Sequence, residues 1–480
     1  MAAFNARGAT VRSISRSVSS ATGCSISIAR PAPRRCAAGR TSLLPPRGRS
    51  RIPFIVTSTS ARPPAVALFA ATALAIGVTV GFGLGLWLLW ARVFGVGLFG
   101  ASWAVLVQVH GLLQLFGFAG VFAVGVGLHA IPRFRGARPV PPVLVGSAYA
   151  GVVGGIVLRA IAQPLPDLPG RMSILAIAGA LLVGGAIAFA YSAVRALVEG
   201  RNPHRPDELL IGAGCWALPV AAVLVALEMT GAAPPLVDQA ADDRAIWAML
   251  LGFLGTLVFG VWARLAPGFV AAMPARPRPV LVGAGIWLGG TVALVLGLPF
   301  APWVLLGGLA LLTWGLEVFG PGIARQPLPR HAWLTRLGVR SAFGWAFVGI
   351  AILAAGAIGP EPSYLQISAA RHALALGFIT VTIYSVGARA LPAFLGRRLW
   401  SHRLQVATLL AAQLGVALRV VPQAVRSTGS ASDAIVGLSG ALAYVALVLF
   451  AVNVGRTLRG PSDRPIAPGA PVPLELHIRR

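Results

Sequence analysis

From residue 64 onward the chain alternates between long apolar runs and short loops rich in Arg, Pro and Gly. The runs are about 20 residues long, the length a helix needs to cross the hydrocarbon layer of a bilayer. They fall near 64–90, 104–131, 141–161, 172–198, 208–230, 244–266, 280–299, 301–324, 338–358, 369–392, 403–421 and 433–455. A helix satisfies its own backbone hydrogen bonds, so strands do not compete in lipid. The pattern predicts an all-α polytopic membrane protein with about twelve transmembrane helices spanning 64–456. Plentiful glycine (58 residues) allows close helix approach where no aqueous hydrophobic drive exists.

The loops predict direction. Connections after even-numbered runs (132–140, 199–207, 267–279, 325–340, 393–403) carry fourteen Arg and two acids. Those after odd-numbered runs carry three Arg and five acids. The positive-inside rule then puts both termini in the cytoplasm, with the protein in a bacterial inner membrane. Residues 1–63 form a separate basic segment, with eleven Arg, eleven Ser and no acid in 1–62. It reads as an arm without structure or a misassigned start, although its composition resembles a transit peptide. Residues 457–480 read as a cytoplasmic tail.

Composition sharpens the class. Hydrophobic residues make up 56% of the 480 and charged residues 11%, against about 25% charged in soluble domains. That excludes a cytosolic enzyme, a disordered chain and a coiled coil. The net charge of +27 is carried by Arg, with no Lys, and beyond residue 62 the Arg cluster in short loops between apolar runs, so nucleic acid is not the expected partner; membrane lipid is. Three cysteines, Cys24, Cys36 and Cys215, show no metal spacing, and no CxxCH motif is present to attach a haem covalently.

Runs 2, 6 and 10 repeat one pattern. They read LFGFAGVFAVGVGLHAIPRF, LLGFLGTLVFGVWARLAPGF and ALGFITVTIYSVGARALPAF. Counting back from Pro132, Pro267 and Pro392, a Gly-Phe pair lies fifteen and fourteen residues earlier (Gly117-Phe118, Gly252-Phe253, Gly377-Phe378). A basic residue lies three earlier: His129, Arg264 and Arg389. Four crossings fit each interval, which predicts three parallel four-helix units (64–198, 208–324, 338–455). A basic residue before a helix-ending Pro is by itself ordinary snorkelling; three in register indicate a repeat.

Ionisable side chains inside lipid are costly and mark candidate sites. His110 and His372 lie 22 and 20 residues before their prolines, at matched depth near the outer face. Two facing imidazoles are what axial ligation of a b-type haem requires. Twenty-seven residues after the prolines stand Arg159 and Arg419, suited to carboxylates such as haem propionates; the middle unit has Leu294 there and no outer His. Gln114 sits one turn below His110, and His129 at the inner end is a further candidate ligand. The bland alternatives are interfacial, hydrogen-bonded histidines and arginines that snorkel outward. His204, His331, His402 and His477 lie in Arg-rich loops or the tail and read as solvated. Glu228 and Glu317 stand far apart in runs 5 and 8, so no continuous carboxylate relay is visible.

The segments VHGLLQLFGFAGVFAVGVGLHAIPRFRG and RHALALGFITVTIYSVGARALP resemble the NnrS family, bacterial twelve-helix proteins of the nitric-oxide response. That family is a remote relative of the catalytic subunit of haem-copper oxidases. The resemblance implies membrane-embedded haem b, copper, and a role in nitric oxide metabolism or nitrosative-stress tolerance, with nitric oxide or a small redox partner. His110 matches the first His of the family's His-x-His-Glu, but Leu112 and Leu113 replace the second His and the acid. His372, Ala373 and Leu374 match its His-Ala-Leu, while AFLGRR stands where Gly-His-Thr-Gly is usual. Those replacements leave few copper ligands. Besides a haem-binding NnrS-like protein, the readings are a small-solute or ion transporter without cofactor and an oxidase or nitric oxide reductase; whether the protein is an enzyme is open. The haem reading requires runs 2 and 10 to turn both rings into one cavity.

Overall fold

The computed structural model describes residues 65–96, 102–230, 237–322, 331–358 and 363–460. The N-terminal arm and the end of the tail lie outside the described residues. Among the described residues there are twelve helices and no strands. They are α1 (Ala65–Phe94), α2 (Trp103–Arg135), α3 (Pro142–Ala162), α4 (Arg171–Glu199), α5 (Asp207–Met229), α6 (Gln239–Val270), α7 (Pro277–Val295), α8 (Ala301–Gly315), α9 (Ala332–Gly356), α10 (Tyr364–Phe394), α11 (His402–Ala424) and α12 (Ser430–Arg459). All but α8 are long and apolar enough to cross a membrane. Helix α8, at 15 residues, spans only about 22 Å.

Several boundaries differ from the hydropathy reading. Helix α8 stops at Gly315, and Glu317 adopts a left-handed φ of 53° in the turn beyond it. There it pairs with Arg276 instead of standing inside a helix. Helices α6 and α10 begin earlier than expected, at Gln239 and Tyr364, with polar first turns capped by Asp238 and Ser363. Ser363 and Gln366 form a reciprocal capping box.

Helices α2, α6 and α10 form the centre and are the most buried of the spans. The Gly-Phe pairs have a physical reading here. Each lies in a π-helical segment: Leu113–Gly120, Ala248–Gly255 and Ala373–Thr380. Each segment ends twelve residues before its proline (Gly120 to Pro132, Gly255 to Pro267, Thr380 to Pro392). The three segments touch one another at the middle of the bundle. The wider turn loosens carbonyls from the regular ladder. In α6 and α10, Thr256 Oγ1 and Thr380 Oγ1 donate to the carbonyls five residues back, at 2.9 Å each.

Each glycine of the pairs admits the first helix of its own unit. A Cβ on Gly117 would meet Ile76 of α1 at 2.8 Å, one on Gly252 would meet Ala217 of α5 at 3.2 Å, and one on Gly377 would meet Trp345 of α9 at 2.6 Å. The phenylalanines Phe118, Phe253 and Phe378 fill the core edge-on against Phe82, Phe189 and Phe343. Around this centre, α3 packs on α4, α7 on α8 and α11 on α12, and α12 closes against α1.

The contact of α3 with α4 offers a stability test. A Cβ on Gly151 would lie 2.6 Å from the Gly185 backbone, whereas one on Gly146 of the same helix meets nothing within 4 Å. Gly151→Ala is expected to destabilise the fold by about 1–3 kcal/mol through overpacking. Thermal denaturation in detergent should show a lowered midpoint for it and an unchanged one for Gly146→Ala.

Candidate functional site

A cavity of about 260 Å³ lies among α1, α2, α6, α10, α11 and α12, at the N-terminal ends of the three central helices. His110 from α2 and His372 from α10 both line it, with Gln108, Gln114, Asp242, Arg371 and Arg419. Much of the remaining wall is apolar, supplied by Phe82, Leu86, Leu89 and Val107.

Both imidazoles are held the same way. His110 Nδ1 lies 3.0 Å from the carbonyl oxygen of Gly81. Gly81 ends a π-helical segment of α1 (Gly77–Gly81), and its ψ of −84° turns that carbonyl away from the helix direction. His372 Nδ1 lies 2.7 Å from the carbonyl oxygen of Ser368. A carbonyl can only accept, so each Nδ1 carries the proton and each neutral ring keeps its lone pair on Nε2. The His110 ring rests on Gly85, where a Cβ would come within 2.4 Å of Cε1. In α6 the positions equivalent to His110 and His372 are Ala245 and Trp247. Trp247 is buried and lies beneath the Arg371 guanidinium at 5.5 Å.

The arginines divide. Arg419 lines the cavity, and its Nε and Nη1 are buried without a hydrogen-bond partner. Arg371 pairs with Asp243. Arg159, expected to serve the same ligand as Arg419, is not in the cavity wall. Its Nη2 donates to Glu228 Oε2 at 3.2 Å and its Nε to Gln163 Oε1 at 3.0 Å. Gln163 in turn donates to Gln108 Oε1 at 3.1 Å, so a buried polar chain runs from the cavity wall back to Arg159 and Glu228. The approach of α5 brings Glu228 to Arg159, a neighbour that spacing within α3 does not reveal.

The other histidines lie elsewhere. His129 is at the proline end of α2, its ring 4.7 Å from Phe394, and it does not join the cavity. His204 meets Glu208 at 2.8 Å, and His331 stacks on His402 at 3.7 Å. His477 lies outside the described residues. The same end holds a dense ion-pair cluster, in which Arg264 binds Asp207 and Glu208 of α5 and the buried Arg135 also reaches Glu208. Sequence reasoning missed Asp242 and Arg371 as wall residues. The polar QAADD opening of α6 was the available signal, because it extends the helix past the apolar window.

A family model described as NnrS protein matches residues 64–462. The chain belongs to the NnrS family. Among solved structures, a haem-copper terminal oxidase dimer determined by cryo-EM overlays this NnrS-family chain with a TM-score of 0.62. The two are 13% identical, over 84% of this chain and 85% of that one. The shared property is the haem-copper-oxidase-like fold. No curated protein sequence matches the chain.

Arg159 and Glu228 are both almost wholly shielded. Removing one partner of a buried pair strands the other charge and typically costs about 3–5 kcal/mol. Arg159→Ala is therefore expected to lower the thermal midpoint in detergent sharply, and Arg159→Ala with Glu228→Gln to recover part of the loss.

Proposed function

We propose that this NnrS-family protein binds a b-type haem in the cavity, where His110 and His372 would hold its iron. The observation that carries this reading is the pair of rings lining one cavity, each with Nδ1 tied to a backbone carbonyl and the lone pair left on Nε2. Metal-ligating histidines characteristically fix the second nitrogen in this way. The fit extends to charge and shape. The unpartnered Nε and Nη1 of Arg419 suit a propionate carboxylate, and the bare Gly85 backbone leaves room for the His110 ring. Gln114 adds a polar group to the same wall. A copper ion fits less well: among the described residues no group of three or more His, Cys, Asp or Glu could hold a metal ion.

When bound, the haem would supply one-electron chemistry and a binding site for small diatomic gases. The chain's own residues do the rest. Gly81 and Ser368 orient the two rings, Arg419 neutralises a carboxylate, and Phe82, Leu86, Leu89 and Val107 keep that wall dry. The nitric-oxide part of the reading is supported by family membership: we assign the protein to nitric oxide metabolism or tolerance of nitrosative stress. The Arg asymmetry of the loops supports a bacterial cytoplasmic membrane with both termini inside.

The test is a reduced-minus-oxidised absorption spectrum of the purified protein. A b-type band is expected, with loss of the band in His110→Ala and in His372→Ala. Arg419→Gln should keep the band but release haem faster to an acceptor protein. A colourless, fully helical preparation that takes up no added haem would overturn the reading and favour a solute-binding role for the cavity.

A further inference from the structure

Glu228 stands out among the buried groups. Its side chain is 1% exposed, its Oε2 meets Arg159, and its Oε1 is buried with no hydrogen-bond partner. Asp242 on the neighbouring helix α6 is 8% exposed, lines the cavity and makes no hydrogen bond through its carboxylate among the described residues. Arg159 is the strongest attractive charge on both carboxylates. The next cation on the cavity side, Arg371, is already paired with Asp243.

The charge count decides the state. Two guanidinium groups, Arg159 and Arg371, face three carboxylates, Glu228, Asp242 and Asp243. Fully ionised, the cluster would hold an uncompensated negative charge on the buried Glu228 and Asp242, which is costly. Two carboxylates that share one partner resolve this by keeping one proton. The remaining neighbours do not alter the count: on α6 and its N-cap, Arg244 and Asp238 are both exposed and opposite in charge. Arg171 on α4 is turned to the carbonyl oxygens of Ala162 and Gln163. Across the cavity stand His110, His372 and Arg419, the last acting on the two imidazoles. The cluster at the proline end is the opposite case: there Asp207 and Glu208 meet Arg135, Arg205 and Arg264, so cations are in surplus.

We propose that Glu228 and Asp242 bind one proton between them beside Arg159, making a proton store that opens onto the cavity. Loading converts one carboxylate and a proton from water into a carboxylic acid. Discharge returns the carboxylate and passes the proton through the Asp242 side to water or to a basic group in the cavity. The proton store rests on the carboxylates and arginines alone, so it holds whether or not the cavity carries haem.

The experiment is infrared spectroscopy of the purified full chain, without added cofactor, at neutral pH. The wild type should show the carbonyl stretch of a protonated carboxylic acid, equivalent to one group per chain. Asp242→Asn and Glu228→Gln should each abolish it, because the carboxylate that remains then has Arg159 to itself. Glu199→Gln, which alters an exposed pair with Arg195, should leave it unchanged. Absence of the band in the wild type, or its survival in both single variants, would overturn the proposal. If Glu228→Gln fails to fold, Asp242→Asn decides alone, since that side chain holds no partner in place.

Discussion

A polar group at membrane depth has no water to turn to, and the site follows from how each such group is satisfied within the protein. Gly81 and Ser368 take the Nδ1 protons of the two histidines. Gln163 and Glu228 accept from Arg159, and Gln108 accepts from Gln163 in turn. Threonine hydroxyls reach the carbonyls loosened by the wide turns of α6 and α10. Of the buried atoms left unpaired among the described residues, two on Arg419 and one oxygen of Glu228 belong to ionisable groups at the cavity or on the polar chain that runs back from it.

Much of this was legible in the chain. Apolar run length gave the helices, because lipid admits few alternatives, and the register of Gly-Phe against proline gave the repeat. The histidine pair could be picked out because imidazoles are rare in the spans and these two share a depth. Other features had no signature of that kind. A π-helical turn leaves hydropathy unchanged, so the reason for Gly117, Gly252 and Gly377 emerged only with Ile76, Ala217 and Trp345 set against them. Arg159 and Arg419 look equivalent by spacing, yet only α3 has an acid brought to it by α5. Asp242 reads as a loop residue until the polar first turn of α6 is seen to be helical.

The three units have diverged around one plan. Two supply a histidine to the cavity, while the middle one places Trp247 where His372 stands in the third and binds Arg371 over its ring. The fold shared with a haem-copper terminal oxidase at 13% identity shows how little of the sequence such a plan demands. In this chain it is met by small residues at helix crossings and bulky ones between them.

The wide turns also separate two duties along each central rod. One extra residue in a turn rotates everything on one side of it by about 100° relative to an unbroken helix. The stripe that docks α2 or α10 into the bundle near its proline is therefore out of phase with the stripe that presents His110 or His372. Each rod can be anchored by one face and still offer a different face inward a few turns away, within one continuous helical span.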